Sequence, residues 1–409
     1  MSSDAPATRL GSVPTGWEVC QLRDGARISS GATVPTPLAA EGQVVPIMGA
    51  NGPIGTTHAS NLDCGFLVGR VGACGELHRV DSPVWASDNT LTVVPNGHFT
   101  SDFLWHVLRA ARLPALGTKN AQPLLTQTQL GEISLPQPPS NEQRRIAETL
   151  GAVDDAIERT REVIEQTRKL KGALLQDLLT NGLPGRHSEF KESHRNGRMP
   201  AEWELVRAGE VVEVTQGIAL GPHREAKLNP TPYLRVANVQ AGYLDLSEIK
   251  EIEASSEERM RYSLHHNDVL LVEGHANITD LGRACLVPAG LEHLVFQNHL
   301  FRIRTYEDRL DPRFFATWIN SASGRSYFRI FGGTTSGLNT VGSGDIKRIT
   351  LPLPPIQEQT VICDLLAGLQ DRSELLAADE RQLTAAKASL SQALLTGRVR
   401  LQAKEAVNG

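Results

Sequence analysis

The sequence predicts an α/β protein: two mixed α/β domains separated by two long helices that pack as an antiparallel coiled coil. Three observations carry this expectation. Residues 133–180 superpose without a gap, at an offset of 216, on residues 349–396, so the chain is a tandem duplication. Each copy follows a longer segment, and the two segments open alike, Pro14-Thr15-Gly16-Trp17-Glu18 and Pro200-Ala201-Glu202-Trp203-Glu204. Those segments hold most of the 36 glycines and show short apolar runs of strand length, whereas the duplicated stretches carry a helical period. The expected boundaries are a first variable domain at residues 11–132, a first repeated helix at 133–183, a linker at 184–198, a second variable domain at 199–348 and a second repeated helix at 349–400.

In the first variable domain Leu67-Val68 and Leu91-Thr92-Val93-Val94 read as strands, with one helix near residues 102–112. Leu135-Pro136-Gln137-Pro138-Pro139 then keeps the chain extended, because a residue before proline is pushed out of the helical region. A helix should begin just beyond, where Ser140 and Gln143 can form a capping box; Ile356 holds the cap position in the second copy, so the box is not repeated. Seam positions recur three and four apart at Ile146, Leu150, Val153, Ile157, Thr160, Ile164, Thr167, Lys171, Leu174 and Leu178. They recur in register at Ile362, Leu366, Leu369, Ser373, Leu376, Glu380, Leu383, Lys387, Leu390 and Leu394. A seam of this length calls for a partner helix, and two copies in one chain can satisfy each other.

The polar seam members choose the orientation. A parallel pairing sets Lys171 against Lys387 and Ile164 against Glu380, placing charge on charge and an acid on aliphatic surface. A centred antiparallel pairing sets Thr160 against Glu380 and Thr167 against Ser373, and lets each lysine lie on an aliphatic residue with its ammonium turned outward to water. A helix of about 40 residues is roughly 60 Å long, so each variable domain is expected toward a different end of a rod. Residues 184–198 are polar and mildly basic and read as a linker. The second variable domain follows, with strands at Val269-Leu270-Leu271-Val272 and Phe301-Arg302-Ile303-Arg304 and a helix near residues 312–323.

Composition excludes several functions. No apolar run reaches the roughly 18 residues of a membrane span, and the start MSSDAPATRL lacks the apolar centre of a signal peptide; a cytoplasmic protein with no membrane partner is expected. The five cysteines are scattered and never spaced C-x-x-C, so neither a disulfide framework nor a metal site is indicated. There is no phosphate loop, no H-E-x-x-H and no G-x-S-x-G, which argues against catalysis and against any cofactor. Asn229-Pro230-Thr231-Pro232-Tyr233 approaches the Asn-Pro-Pro-Tyr of amino-methyltransferases, but Thr231 breaks it and a proline-rich turn accounts for it. A net charge of −5 opposes a free-standing binder of nucleic acid, since Lys and Arg contacts to phosphate usually supply that affinity.

The duplicated Leu-Pro-x-Pro-Pro-x-x-Glu-Gln helices, the Pro-x-x-Trp-Glu openings and the domains between them resemble the specificity subunit of a Type I restriction-modification system, over nearly the whole chain. Supporting stretches are Pro46-Ile47-Met48-Gly49-Ala50-Asn51-Gly52, Gly69-Arg70-Val71-Gly72 and Ser87-Asp88-Asn89-Thr90 in the first domain. Tyr233-Leu234-Arg235-Val236-Ala237-Asn238-Val239, Leu281-Gly282-Arg283-Ala284 and Gln297-Asn298-His299-Leu300 are their counterparts in the second. The resemblance implies a non-catalytic subunit whose two target-recognition domains each read half of a split site in double-stranded DNA. Two modification (methyltransferase) subunits would dock on the helices and share the phosphate contacts, and restriction subunits would complete the complex. Within that reading, base edges call for Arg toward guanine and Asn or Gln toward adenine. The candidates are Asn51, Arg70, Asn89, Lys119, Asn120 and Gln122 in the first domain. In the second they are Gln216, Arg224, Arg235, Asn238, His275, Asn277, Arg283, Asn298, His299, Thr334, Ser336 and Asn339. Alternatives are the recognition subunit of a Type II system with fused activities, a coiled-coil adaptor, and a self-contained methyltransferase.

Overall fold

The computed structural model describes residues 7–34, 44–118, 123–193, 196–226, 228–335 and 338–401. The chain divides into two units, Met1–Val163 with Leu376–Gly409, and Ile164–Leu375, and the division falls inside both long helices, Ser140–Asn181 and Ile356–Leu395. No helix among the described residues is long and apolar enough to cross a membrane.

In the first unit, Ala26–Ser30, Thr90–Pro95, Gly65–Gly69 and Leu77–Val80 form an antiparallel sheet in that spatial order. A second sheet runs Gly52–Thr57, Val45–Gly49, Trp85–Ala86, the last pairing being parallel. The opening strand Glu18–Gln21 pairs with Ser134–Gln137, so the extended Leu-Pro segment is itself a short strand, with Leu135 opposite Cys20. Phe66, Val68, Leu91 and Val93 from the sheet pack on Phe103, Leu104, Val107 and Leu108 of the helix Ser101–Ala110, whose first turn is capped by the Thr100 side chain. Ile146, Ala147 and Leu150 from the start of the first long helix close this core, together with Leu394 and Leu395 from the end of the second.

The second unit is built to the same plan. Its sheets run Val212–Gln216, Leu300–Thr305, Val269–Val272, Ala284–Leu286 and Lys250–Glu253, Pro230–Leu234, Val295–Phe296, again with the last pairing parallel. Glu204–Arg207 pairs with Thr350–Leu353, and the core is closed by Ile362, Cys363 and Leu366 together with Leu178 and Leu179. The duplication therefore includes the variable domains. Their sequences conceal it because equivalent strands drift apart: Ala26–Ser30 and Val212–Gln216 are 186 residues apart, Thr90–Pro95 and Leu300–Thr305 are 210, and Ser134–Gln137 and Thr350–Leu353 are 216.

Three local expectations change. The single helix foreseen at 312–323 is two, Pro312–Asn320 and Ala322–Phe331, because Ser321 is extended and its side chain caps the second by accepting from the Gly324 N–H. The polar segment read as a linker carries a hairpin, Phe190–Ser193 against Gly197–Pro200, anchored by the Arg198 guanidinium 4.0 Å over the Phe190 ring and by buried Met199. Gln143 makes no capping box. Its amide accepts from the Thr100 N–H at 2.8 Å and donates to the Pro138 and His98 carbonyls, and Gln359 repeats these bonds with Asp311, Pro354 and Arg309.

The repeated Glu beside that Gln is the key of each unit. Glu142 is buried and accepts from Trp17 Nε1 at 3.0 Å and from the Arg400 guanidinium at 2.8 and 2.9 Å. Burial alone would raise its carboxyl pKa, but these bonds outweigh it and hold the group below the usual carboxylate range. Glu358, fully buried, accepts from Trp203 Nε1 at 3.2 Å, His187 Nε2 at 2.8 Å and the Leu183 N–H at 3.1 Å. Gly182 has φ +71°, and a Cβ there would stand 2.8 Å from Glu358 Oε1, so only glycine lets the chain pass the carboxylate.

The helices pair antiparallel. In the first unit Arg161 donates to Glu380 at 2.8 Å and Lys387 to Asp154, so the partner descends by seven residues as the first helix advances by seven. In the second unit Lys171 donates to Gln370 at 2.6 Å in the same register. The lysines lie across the seam as expected, but their ammonium groups end on Asp154 and Gln370 rather than in water alone.

One buried base in the first unit gives a pH dependence. His106 faces the first long helix, its Nδ1 3.8 Å from Asp154 Oδ2, and burial drives its pKa down to about 4 despite that carboxylate. Below about 6.5 the unfolded chain takes up a proton that the folded imidazole refuses, so the contribution to stability falls as pH drops from about 6.5 toward 4 and is flat above. His106→Gln is expected to melt closer to the wild type at pH 5 than at pH 7. Equal gaps at the two pH values would refute this.

Candidate nucleic-acid interface

Each four-stranded sheet ends in a cluster of loops, and several backbone hydrogen bonds of the two clusters correspond pair by pair. The buried strand Gly65–Gly69 delivers Arg70, whose N–H donates to the Asn89 carbonyl at 2.8 Å while its own carbonyl accepts from Leu125 at 3.0 Å. The buried strand Val269–Val272 delivers Glu273, whose N–H donates to His299 at 2.9 Å and whose carbonyl accepts from Val341 at 3.0 Å. Ser87 N–H bonds Met48 and Gln297 N–H bonds Leu234; tight turns close from Thr90 to Ser87 and from Leu300 to Gln297. Gly31 and Gly217 lie so close to these turns that a Cβ would stand 2.0 Å from the Ser87 carbonyl and 2.3 Å from that of Gln297.

In the first unit this brings Arg70 and Asn89 together, with Asn51 on the neighbouring turn beside the Ala50 carbonyl that His78 Nε2 contacts at 3.2 Å. Asn51 and Asn89 are exposed and Arg70 half-buried, and none of the three side chains has a hydrogen bond or ion pair among the described residues. Lys119, Asn120 and Gln122 lie outside the described residues.

In the second unit Gln216 donates to the Asn298 carbonyl at 3.0 Å, leaving the Asn298 side chain unpaired among the described residues. His299 Nδ1 meets Glu273 Oε2 at 2.8 Å; a carboxylate only accepts, so Nδ1 carries a proton. His275 is ringed by Asn277 and Asp280, and Asn277 Oδ1 accepts from Thr279. Thr334 lies on the strand Gly333–Thr335, and Ser336 is outside the described residues.

Other second-unit candidates spend their polar groups internally. Asn238 is buried, accepting from Arg235 N–H and donating to the Asp245 and Glu248 carbonyls. Buried Asn339 donates to the His275 and Ala276 carbonyls. Arg235 pairs with Glu248 at 2.9 Å and Arg283 donates to Val236 at 2.9 Å. Arg224 stands apart from the loop cluster, forked onto Glu258 at 2.6 and 2.8 Å and holding that carboxyl down to about 2. Glu273, which the sequence did not single out, occupies the position equivalent to Arg70, an equivalence that the drifting spacing hides.

The structure defines a tandem-duplicated α/β protein whose two units are each completed by paired long helices. The family described as Type I restriction modification DNA specificity domain matches residues 14–166 and 200–385, and the chain belongs to it. The Type I restriction enzyme EcoKI specificity subunit of Escherichia coli K12 is 26% identical over 271 residues, 65% of this chain and 56% of that subunit. The putative type I restriction enzyme MjaX specificity subunit of Methanocaldococcus jannaschii is 26% identical over 281 residues, 69% of this chain and 63% of that one. The chain thus matches less than two thirds of the length of these relatives. Among solved structures, the Type-I restriction-modification system S subunit from M. genitalium shares the fold at a TM-score of 0.59 and 16% identity, covering 95% of this chain and 99% of that one.

Proposed function

We propose that this chain is the DNA-recognition subunit of a Type I restriction-modification complex. The observation that carries the reading is one scaffold used twice with different side chains on matched loops, the arrangement expected of two readers with two targets. Each unit reads one half of a split duplex site through its loop cluster, with Asn51, Arg70 and Asn89 facing bases in one half and Gln216, Asn298 and His299 in the other. The chain itself performs no catalysis. Two modification subunits supply it and dock on the long helices, where Val163, Leu170, Leu365 and Leu375 are exposed apolar residues. They also share the phosphate contacts that a chain of net charge −5 is poorly equipped to make alone. Restriction subunits complete the assembly. The named relatives are Type I subunits, which supports this partner set over a fused Type II one.

The test is an exchange of domains. Residues 11–132 are replaced by the equivalent domain of a relative, the hybrid is co-expressed with its modification subunits, and the methylated sites of the host are sequenced. One half of the site is expected to change and the other to persist; a change in both halves would mean that the units do not read independently.

A further inference from the structure

Because the chain contains its own structural homologue, equivalent positions can be compared inside one molecule. Where the backbone is the same in both loop clusters and the side chains differ sharply, the difference is not demanded by the fold. The largest such contrast is Arg70 against Glu273. Both follow the buried third strand, and both are fixed by the same two backbone bonds. One carries a guanidinium with no partner among the described residues, and the other a carboxylate whose Oε2 is held by His299 at 2.8 Å. The Glu273 side chain is 15% exposed and that of His299 47%, so the carboxylate is the more buried member of the pair and the imidazole the more exposed.

We propose that Arg70 and Glu273 are the specificity-determining pair of this protein, each reading a G·C pair from opposite strands in its own half-site; the inference rests on the DNA-recognition reading above. Arg70 donates to guanine O6 and N7, and Glu273 accepts from the exocyclic amino group of cytosine, the partner each side-chain chemistry selects in the major groove. His299 orients the Glu273 carboxylate through Oε2 and leaves Oε1 for the base. Asn89, its counterpart in the first unit, has no carboxylate to orient.

The full chain, co-expressed with its modification subunits, is used to map methylated sites in cells carrying wild-type protein, Glu273→Gln or Arg70→Gln. The wild-type site is expected to contain a specified G·C pair in each half. Glu273→Gln is expected to shift one position of one half toward adenine, with discrimination against the original base falling roughly tenfold to a hundredfold. Arg70→Gln is expected to do the same at one position of the other half. Should Glu273→Gln fail to accumulate, His299→Asn, at an exposed position, is expected to weaken discrimination at that same base pair. A half-site unchanged by these substitutions, or altered at several positions at once, overturns the proposal while leaving the subunit's role standing. A wild-type protein that directs no two-part methylated site overturns the role itself.

Discussion

Glu358→Ala is expected to cost the second unit about 3 kcal/mol, the range for breaking a buried charged network by removing one member. The carboxylate is fully buried, and its loss strands the Trp203 indole N–H, the buried His187 ring and the Leu183 N–H, with Arg186 only 3.5 Å away. Glu358→Gln keeps an acceptor and is expected to cost less. Urea unfolding followed by tryptophan fluorescence reads the change directly, because Trp203 lies in the network. A loss under about 0.5 kcal/mol for the alanine variant would show that the repeated Glu is not what holds the opening Trp-Glu strand against the helix.

Lengthening both helices is expected to change the spacing of the recognised site and nothing else. Four residues inserted after Thr160, with a matching insertion in the second helix, add about 6 Å at 1.5 Å per residue and rotate one face by about 40°. At roughly 3.4 Å per base pair along one strand, the unspecified spacer should grow by about two base pairs while both half-sites persist. Methylated-site sequencing decides. An unchanged spacer removes the helices from that role, and altered half-sites would mean that they contribute to reading bases.

The helical part of the fold was readable because it is periodic: the seam from Ile146 to Leu178 and its copy from Ile362 to Leu394 is less exposed than its flanks in both units. The orientation was readable because charges in a seam cannot be hidden. The capping box was misread because Gln143 offers the same amide to a distant loop, and a tertiary bond to the Thr100 N–H outcompetes a local one. The hairpin in the linker went unforeseen because its polar composition conceals one anchor, Phe190 under Arg198, while the other, Met199, lies just past its end. In the loop clusters, residue type alone could not separate Asn51, whose amide is unpaired among the described residues, from Asn238, whose amide makes three bonds within its own loop. Glu273 was not singled out because nothing in its sequence context marks it as the counterpart of Arg70, and only matched backbone bonds bring the two level.

The bond from Arg400 to Glu142 sets an order of assembly on the ribosome. The second unit, Ile164–Leu375, has all its parts before synthesis reaches residue 400, whereas the first unit, though its sheets are made first, needs Leu394, Leu395 and Arg400 to finish its core and neutralise Glu142. The two partners are 258 residues apart, which at about 5–20 residues per second is a wait of roughly 13–50 s. Throughout that interval the domain translated first remains an open half, with the apolar surface around Ile146 and Leu150 uncovered and its carboxylate uncompensated. The order in which the two units acquire all their residues is thereby the reverse of the order in which they begin: the second is complete at residue 375, the first only when the chain returns to it at residue 400.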